Sequence, residues 1–251
     1  MNMKNLKKTL AFSLAVMSLF STSVFADTIS SSRNSKQPSS YSIDSKAISG
    51  TTSFTANGKS YTNHTGCAKV VAGVTGATTI TCKSGFVDSG IMGAHANLYN
   101  TNGTVVKTTG WKYNTNKASG FTATTGSTIS KGTYYTRGTT KAYNGSGYKT
   151  VGAKQSPIAT MKSLDIEISN EELKERQYLY ETKNMISALG VGDVEGYVSL
   201  DDLYSEDSQP KTPEEAVAYM NKIAKSNEKY KSIPLYDKDG ETIIGEYHID
   251  L

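Results

Sequence analysis

The chain of 251 residues predicts an all-β N-terminal domain, an antiparallel sandwich or small barrel, followed by a small α+β domain. Three observations lead there. From about Thr51 to Thr160, Thr, Gly, Tyr and Val dominate, and Asn-Gly pairs recur at Asn57-Gly58, Asn102-Gly103 and Asn144-Gly145. Asn and Gly tolerate the positive φ of type I′ turns, so each pair marks a reversal between antiparallel strands. Beyond Met161 the texture becomes charged, with two helix starts of the capping kind. Charge divides the chain at the same place. Between Asp27 and Thr160 there are 14 Lys+Arg against 3 Asp+Glu, a net of +11; from Met161 to Leu251 there are 10 against 20, a net of −10.

The first residues, MNMKNLKK, are basic and run into TLAFSLAVMSLF, with Val24 and Ala26 as the small residues before a cut at Ala26/Asp27. That pattern predicts a signal peptide over 1–26, and hence a secreted, extracellular protein, free or associated with the cell wall. Residues 27–50 are rich in Ser, Lys and Asn without a period and read as a flexible leader. No later stretch reaches the roughly 20 apolar residues that span a bilayer.

Within the basic domain, 51–160, strands are expected near Thr52–Ala56, Ala68–Ala72, Thr78–Lys83, Gly120–Thr124 and Tyr134–Tyr143. The clearest hairpin surrounds Asn102-Gly103. Its first arm alternates Met92, Ala94, Ala96 and Leu98 with Gly93, His95, Asn97 and Tyr99; its second reads TVVKTTGWKY. Trp111, in that second arm, is expected to pack in the core or hairpin. In the acidic module, 161–251, Ser169 and Glu172 form a capping box ahead of a helix carried through ELKERQYLYETKNMISAL to a stop at Gly190. Glu195–Leu200 reads as a short strand. Thr212-Pro213 opens a second helix with Val217, Met220, Ile223 and Ala224 as its apolar stripe, and a closing hairpin turns at Asp237–Gly240.

The candidate binding residues come from the strand at 133–143. Its alternation places Tyr134, Thr136, Gly138, Thr140 and Ala142 on one face and Tyr135, Arg137, Thr139, Lys141 and Tyr143 on the other. Tyr135, Arg137, Lys141 and Tyr143 interleave aromatic rings with cations, and no acidic residue occurs between Asp88 and Asp165. Such a field of one sign attracts polyanions, so the expected partner is an anionic envelope polymer or cell surface. A solvated sheet face, or an interface to the acidic half, would use the same residue types.

Chemistry is less in evidence. His64, His95 and His248 belong to no nucleophile motif, and no ligand spacing suggests a metal. No cofactor and no enzymatic activity are expected. Cys67 and Cys82, the two cysteines, are expected to form a disulfide in an exported protein.

The series VEGYVSLDDLY, PKTPEEAVAYMNKIAKSNE and IPLYDKDGETIIGEYHI resembles a recurring C-terminal module of secreted and surface proteins of Gram-positive bacteria. The resemblance covers about Tyr180 to Leu251 and implies export from such a cell; it carries no activity and no catalytic residues. The expected function is therefore a secreted, non-enzymatic binding protein whose basic domain engages an anionic envelope component. Two alternatives use the same features: a bacteriocin-like antagonist masked by its acidic module, and a matrix or surface protein associating head to tail through its oppositely charged halves.

Overall fold

The computed structural model describes residues 48–251 except 71–72, 129, 131, 162–168 and 205–208. The expected signal peptide and almost all of the expected leader lie outside the described residues. The chain is mostly β.

Strands β1 (Thr52–Ala56), β2 (Lys59–Val70), β3 (Gly73–Cys82) and β7 (Gly120–Thr124) make a four-stranded antiparallel sheet in the order β1-β2-β3-β7. The β1–β2 turn is the first Asn-Gly pair, with φ of 45° at Asn57 and 69° at Gly58. Facing it lie β4 (Met92–Asn100) and β8 (Gly132–Tyr143), paired antiparallel. β4 is flanked on its other side by β5 (Val105–Thr109) and β6 (Lys112–Tyr113), and β8 by β9 (Tyr148–Gly152) and β10 (Ala159–Met161). The two layers approach closely because glycine meets threonine. A Cβ on Gly76 would fall 2.6 Å from Thr136 Oγ1, and one on Gly138 would strike the Thr78 hydroxyl and sit 2.7 Å from the His95 carbonyl oxygen. Apolar clusters fill the flanks, one around Tyr61, Ile80 and Met92 and one around Val74, Leu98 and Tyr134.

The C-terminal half does not form a separate sheet. Strands β11 (Met185–Leu189), β12 (Glu195–Ser199), β13 (Tyr230–Tyr236) and β14 (Ile243–Asp250) pair antiparallel in sequence, and both ends of the series then pair parallel to β5. Ala188 faces Val105, while Ile249 and Asp250 face Thr108 and Thr109. A five-stranded mixed barrel results, β5-β11-β12-β13-β14, whose fifth strand comes from the basic half. Val105, Ala188, Val198, Ile233, Leu235, Tyr247 and Ile249 fill it. The charge boundary at 160/161 is therefore not a hydrogen-bonding boundary.

Among the described residues three α-helices accompany the barrel. α1 (Asn170–Lys183) begins as expected, with the Ser169 side chain accepting from the Glu172 amide at 3.1 Å. It ends six residues before the expected stop: Asn184 takes the left-handed conformation at φ 52° and caps it, and the next five residues become β11 instead of continuing the helix. The segment MISAL gains two neighbours, β12 and β5, that helical propensity cannot foresee. α2 (Leu200–Tyr204) follows β12, and α3 (Pro213–Lys225) starts at Thr212, whose side chain accepts from the Glu215 amide at 3.2 Å. Ala216, Tyr219 and Met220 pack α3 on Trp111 and Tyr113, so its buried stripe is rotated from the expected one and Ala224 is exposed.

The expected disulfide is absent: Cys67 and Cys82 are both buried and free. The cause lies in the register. They sit on adjacent strands, but Cys67 faces Gly76 and Cys82 faces Tyr61. Six residues at about 3.4 Å each separate the cysteines along the ladder, roughly 20 Å, against the 7 Å that a bridge tolerates between Cα atoms.

Candidate functional site

The polar face of β4 meets the cationic face of β8. Register pairs His95 with Thr139, Asn97 with Arg137 and Tyr99 with Tyr135, so all six side chains share one surface of the sheet. At one end of this surface Tyr99 and Tyr135 stack, ring centroids 5.3 Å apart and planes 8° from parallel, and both join the barrel core. At the other end α3 covers Trp111, while the Lys141 ammonium lies 4.1 Å from the indole centroid. Between the two covered ends a cleft of about 340 Å³ remains open. Its floor is His95, Asn97 and Tyr99; Arg137, Thr139 and Gln155 form one wall, and Tyr180 of α1 and Tyr204 of α2 the other.

Arg137 is held ready rather than free to wander. Its guanidinium carbon lies 5.8 and 5.5 Å from the Tyr99 and Tyr135 ring centroids, and its Nε donates to Gln155 Oε1 at 3.1 Å. Among the described residues no hydrogen bond engages its two terminal nitrogens, and no carboxylate lines the cleft. A guanidinium fixed in this way presents a planar pair of donors suited to a carboxylate or phosphate.

The floor is buried and polar. Asn97 donates to the Tyr204 hydroxyl at 3.2 Å and accepts from Thr108 in a short hydrogen bond. His95 is 1 % exposed, its ring 5.4 Å from Trp111 and 5.1 Å from Tyr204, and among the described residues neither ring nitrogen makes a hydrogen bond of ordinary length and angle, the Asn97 side chain being its nearest polar neighbour on the strand. Burial, with the Lys141 charge adding to it and Asn97 opposing, lowers His95 from 6.5 to about 4. It is a neutral imidazole at physiological pH, carrying one donor and one acceptor.

The four expected ligand residues do not form one platform. Arg137 alone of them lines the cleft; Tyr135 supports it from the barrel core. Lys141 is buried over Trp111, and Tyr143 lies further along the strand, its ring 5.6 Å from Tyr148 and its hydroxyl donating to the Gly145 carbonyl at 2.7 Å. His95, Asn97, Tyr180 and Tyr204 were not expected. The alternation of β4 already put His95 and Asn97 on its non-apolar face, which is the signal that could have found them; nothing local marks the two tyrosines of the acidic half. Among the described residues no group of His, Cys, Asp and Glu is arranged to hold a metal, and no helix is long and apolar enough to cross a membrane. No protein-family model, curated protein or solved structure matches the chain.

Proposed function

We propose that this is an exported binding protein without catalytic activity that takes an acidic group of a Gram-positive envelope polymer at Arg137, in the cleft between the β4–β8 sheet and helices α1 and α2. The observation that carries the reading is the guanidinium itself, set within about 6 Å of two tyrosine rings, tied through Nε and, among the described residues, open at its other nitrogens in a cleft that no carboxylate lines. The basic excess of residues 27–160 supports it by drawing polyanions toward that side of the molecule, and the signal-like N-terminus supports a location where such polymers occur.

The test uses the full chain, because β5 belongs to both halves. Mature protein is sedimented with isolated Gram-positive walls, intact and stripped of their covalently attached anionic polymers, across a salt series. Retention on intact walls that falls with salt and is lost on stripped walls is expected, since exposed charges are screened over about 8 Å at physiological ionic strength. Equal retention on stripped walls, or none on either, overturns the proposal.

A further inference from the structure

We infer that the ligand of this cleft is an acidic sugar, a pyranose ring bearing a carboxylate within an oligosaccharide, rather than a flexible polyol phosphate; the inference rests on the reading of Arg137 as the anion site. Arg137 alone would accept either ligand. The remainder of the cleft would not treat them alike.

His95 supplies the second, independent observation. A residue 1 % exposed, with neither ring nitrogen hydrogen-bonded among the described residues, lines the cleft beneath Tyr204. Buried polar groups are almost always satisfied, so an orphaned imidazole at the base of a cleft is a place where a ligand completes the hydrogen bonding once a small shift of Tyr204 uncovers a nitrogen. Because it is neutral, His95 offers a donor and an acceptor, the pair that a sugar hydroxyl uses, and it offers no charge to a phosphate. The wall adds a shape requirement. Tyr180 is 57 % exposed and Tyr204 stands beside it, so aromatic surface borders the polar floor. An aromatic ring beside convergent hydroxyl partners suits the apolar face of a pyranose, whose edge carries hydroxyls and whose face carries C–H groups. A glycerol-phosphate chain has no such face to offer Tyr180. At about 340 Å³ the cleft is at the small end of ligand sites, of about 300–1,000 Å³, and so takes one or two rings of a longer chain.

The test titrates the full chain calorimetrically with three probes: a short oligogalacturonide, the same oligosaccharide with its carboxylates reduced to alcohols, and polyglycerol phosphate. Variants Arg137→Gln and Tyr180→Ser accompany the parent protein; both side chains are exposed, so neither change disturbs a core. The oligogalacturonide is expected to bind at least tenfold more tightly than either other probe, to lose about tenfold with Arg137→Gln, and to lose several-fold with Tyr180→Ser. One imidazole nitrogen of His95 should shift in nitrogen NMR on its addition, which a purely structural histidine would not show. If polyglycerol phosphate binds as tightly, with Tyr180→Ser and the His95 resonances unaffected while Arg137→Gln still weakens it, the sugar assignment is wrong and the anion site stands. If no probe binds, both readings are wrong.

Discussion

At the scale of single residues, His95 couples the site to stability. Its folded-state value of about 4 lies below the unfolded 6.5, so the unfolded chain binds the proton more readily. The stability it contributes is complete above pH 6.5 and disappears as pH falls through 4, a loss of about 3 kcal/mol at 1.36 kcal/mol per pH unit. The urea midpoint should therefore fall between pH 7 and pH 4.5, and fall less in His95→Leu; parallel declines in the two proteins would show that His95 is not the group responsible. Lys141, over Trp111, lies on the same side and lowers His95 further. Gly138 tests the packing beneath the cleft. Gly138→Ala drives a methyl group into the Thr78 hydroxyl and the His95 carbonyl, and a loss of about 1–3 kcal/mol or more is expected from overpacking. Gly152→Ala, where none of the described residues lies within 4 Å of the added carbon, should change stability by less than about 0.5 kcal/mol in the same chemical denaturation experiment.

At the scale of elements, α3 and the indole it covers offer a direct readout. Thr212 caps the helix, and the first turn packs against the turn before β4 so tightly that a Cβ on Gly90 would collide with Pro213. Thr212→Ala should cost about 1 kcal/mol, and because Trp111 is the single tryptophan of the chain, any loosening of α3 appears as increased quenching of its fluorescence. Unchanged quenching together with unchanged stability would mean that the cap is not needed. Elements with a local cause were legible in the sequence. β1 and β7 match their expected ranges, and the caps at Ser169 and Thr212 and the turns at Asn57-Gly58 and Asp237–Gly240 follow from short-range chemistry. β11 was not legible, because the residues that turn MISAL into a strand lie about 80 positions away in β5 and on the following strand. The same distance hides half the cleft: Arg137 was visible as one of a cationic row, whereas Tyr180 and Tyr204 reach it only after the barrel has closed.

At the scale of the molecule, the opposed charges of the two halves lie within one hydrogen-bonded body. β5 pairs with β4 in the basic half and with β11 and β14 in the acidic half, and the Asp250 carboxylate accepts from the Gly126 amide at 2.8 Å. Cooperative unfolding follows, as does the chemical state of the thiols. Cys67 and Cys82 are buried and burial pushes the Cys67 thiol up to about 11, so a thiol reagent should modify two groups per chain only after denaturation, and reductant should leave the melting temperature unchanged. A melting temperature that falls on reduction would reveal a bridge that the register forbids.

The cationic field and the fitted arginine make separable contributions to binding, and one comparison distinguishes them. Full-length Arg137→Gln and Lys117→Gln each remove a single positive charge from an exposed position, the first inside the cleft and the second outside it. Retention on anionic wall polymer at physiological salt should drop about tenfold in Arg137→Gln and change less than twofold in Lys117→Gln. Equal, small losses in both would assign binding to the general field of the basic half and contradict a site at Arg137.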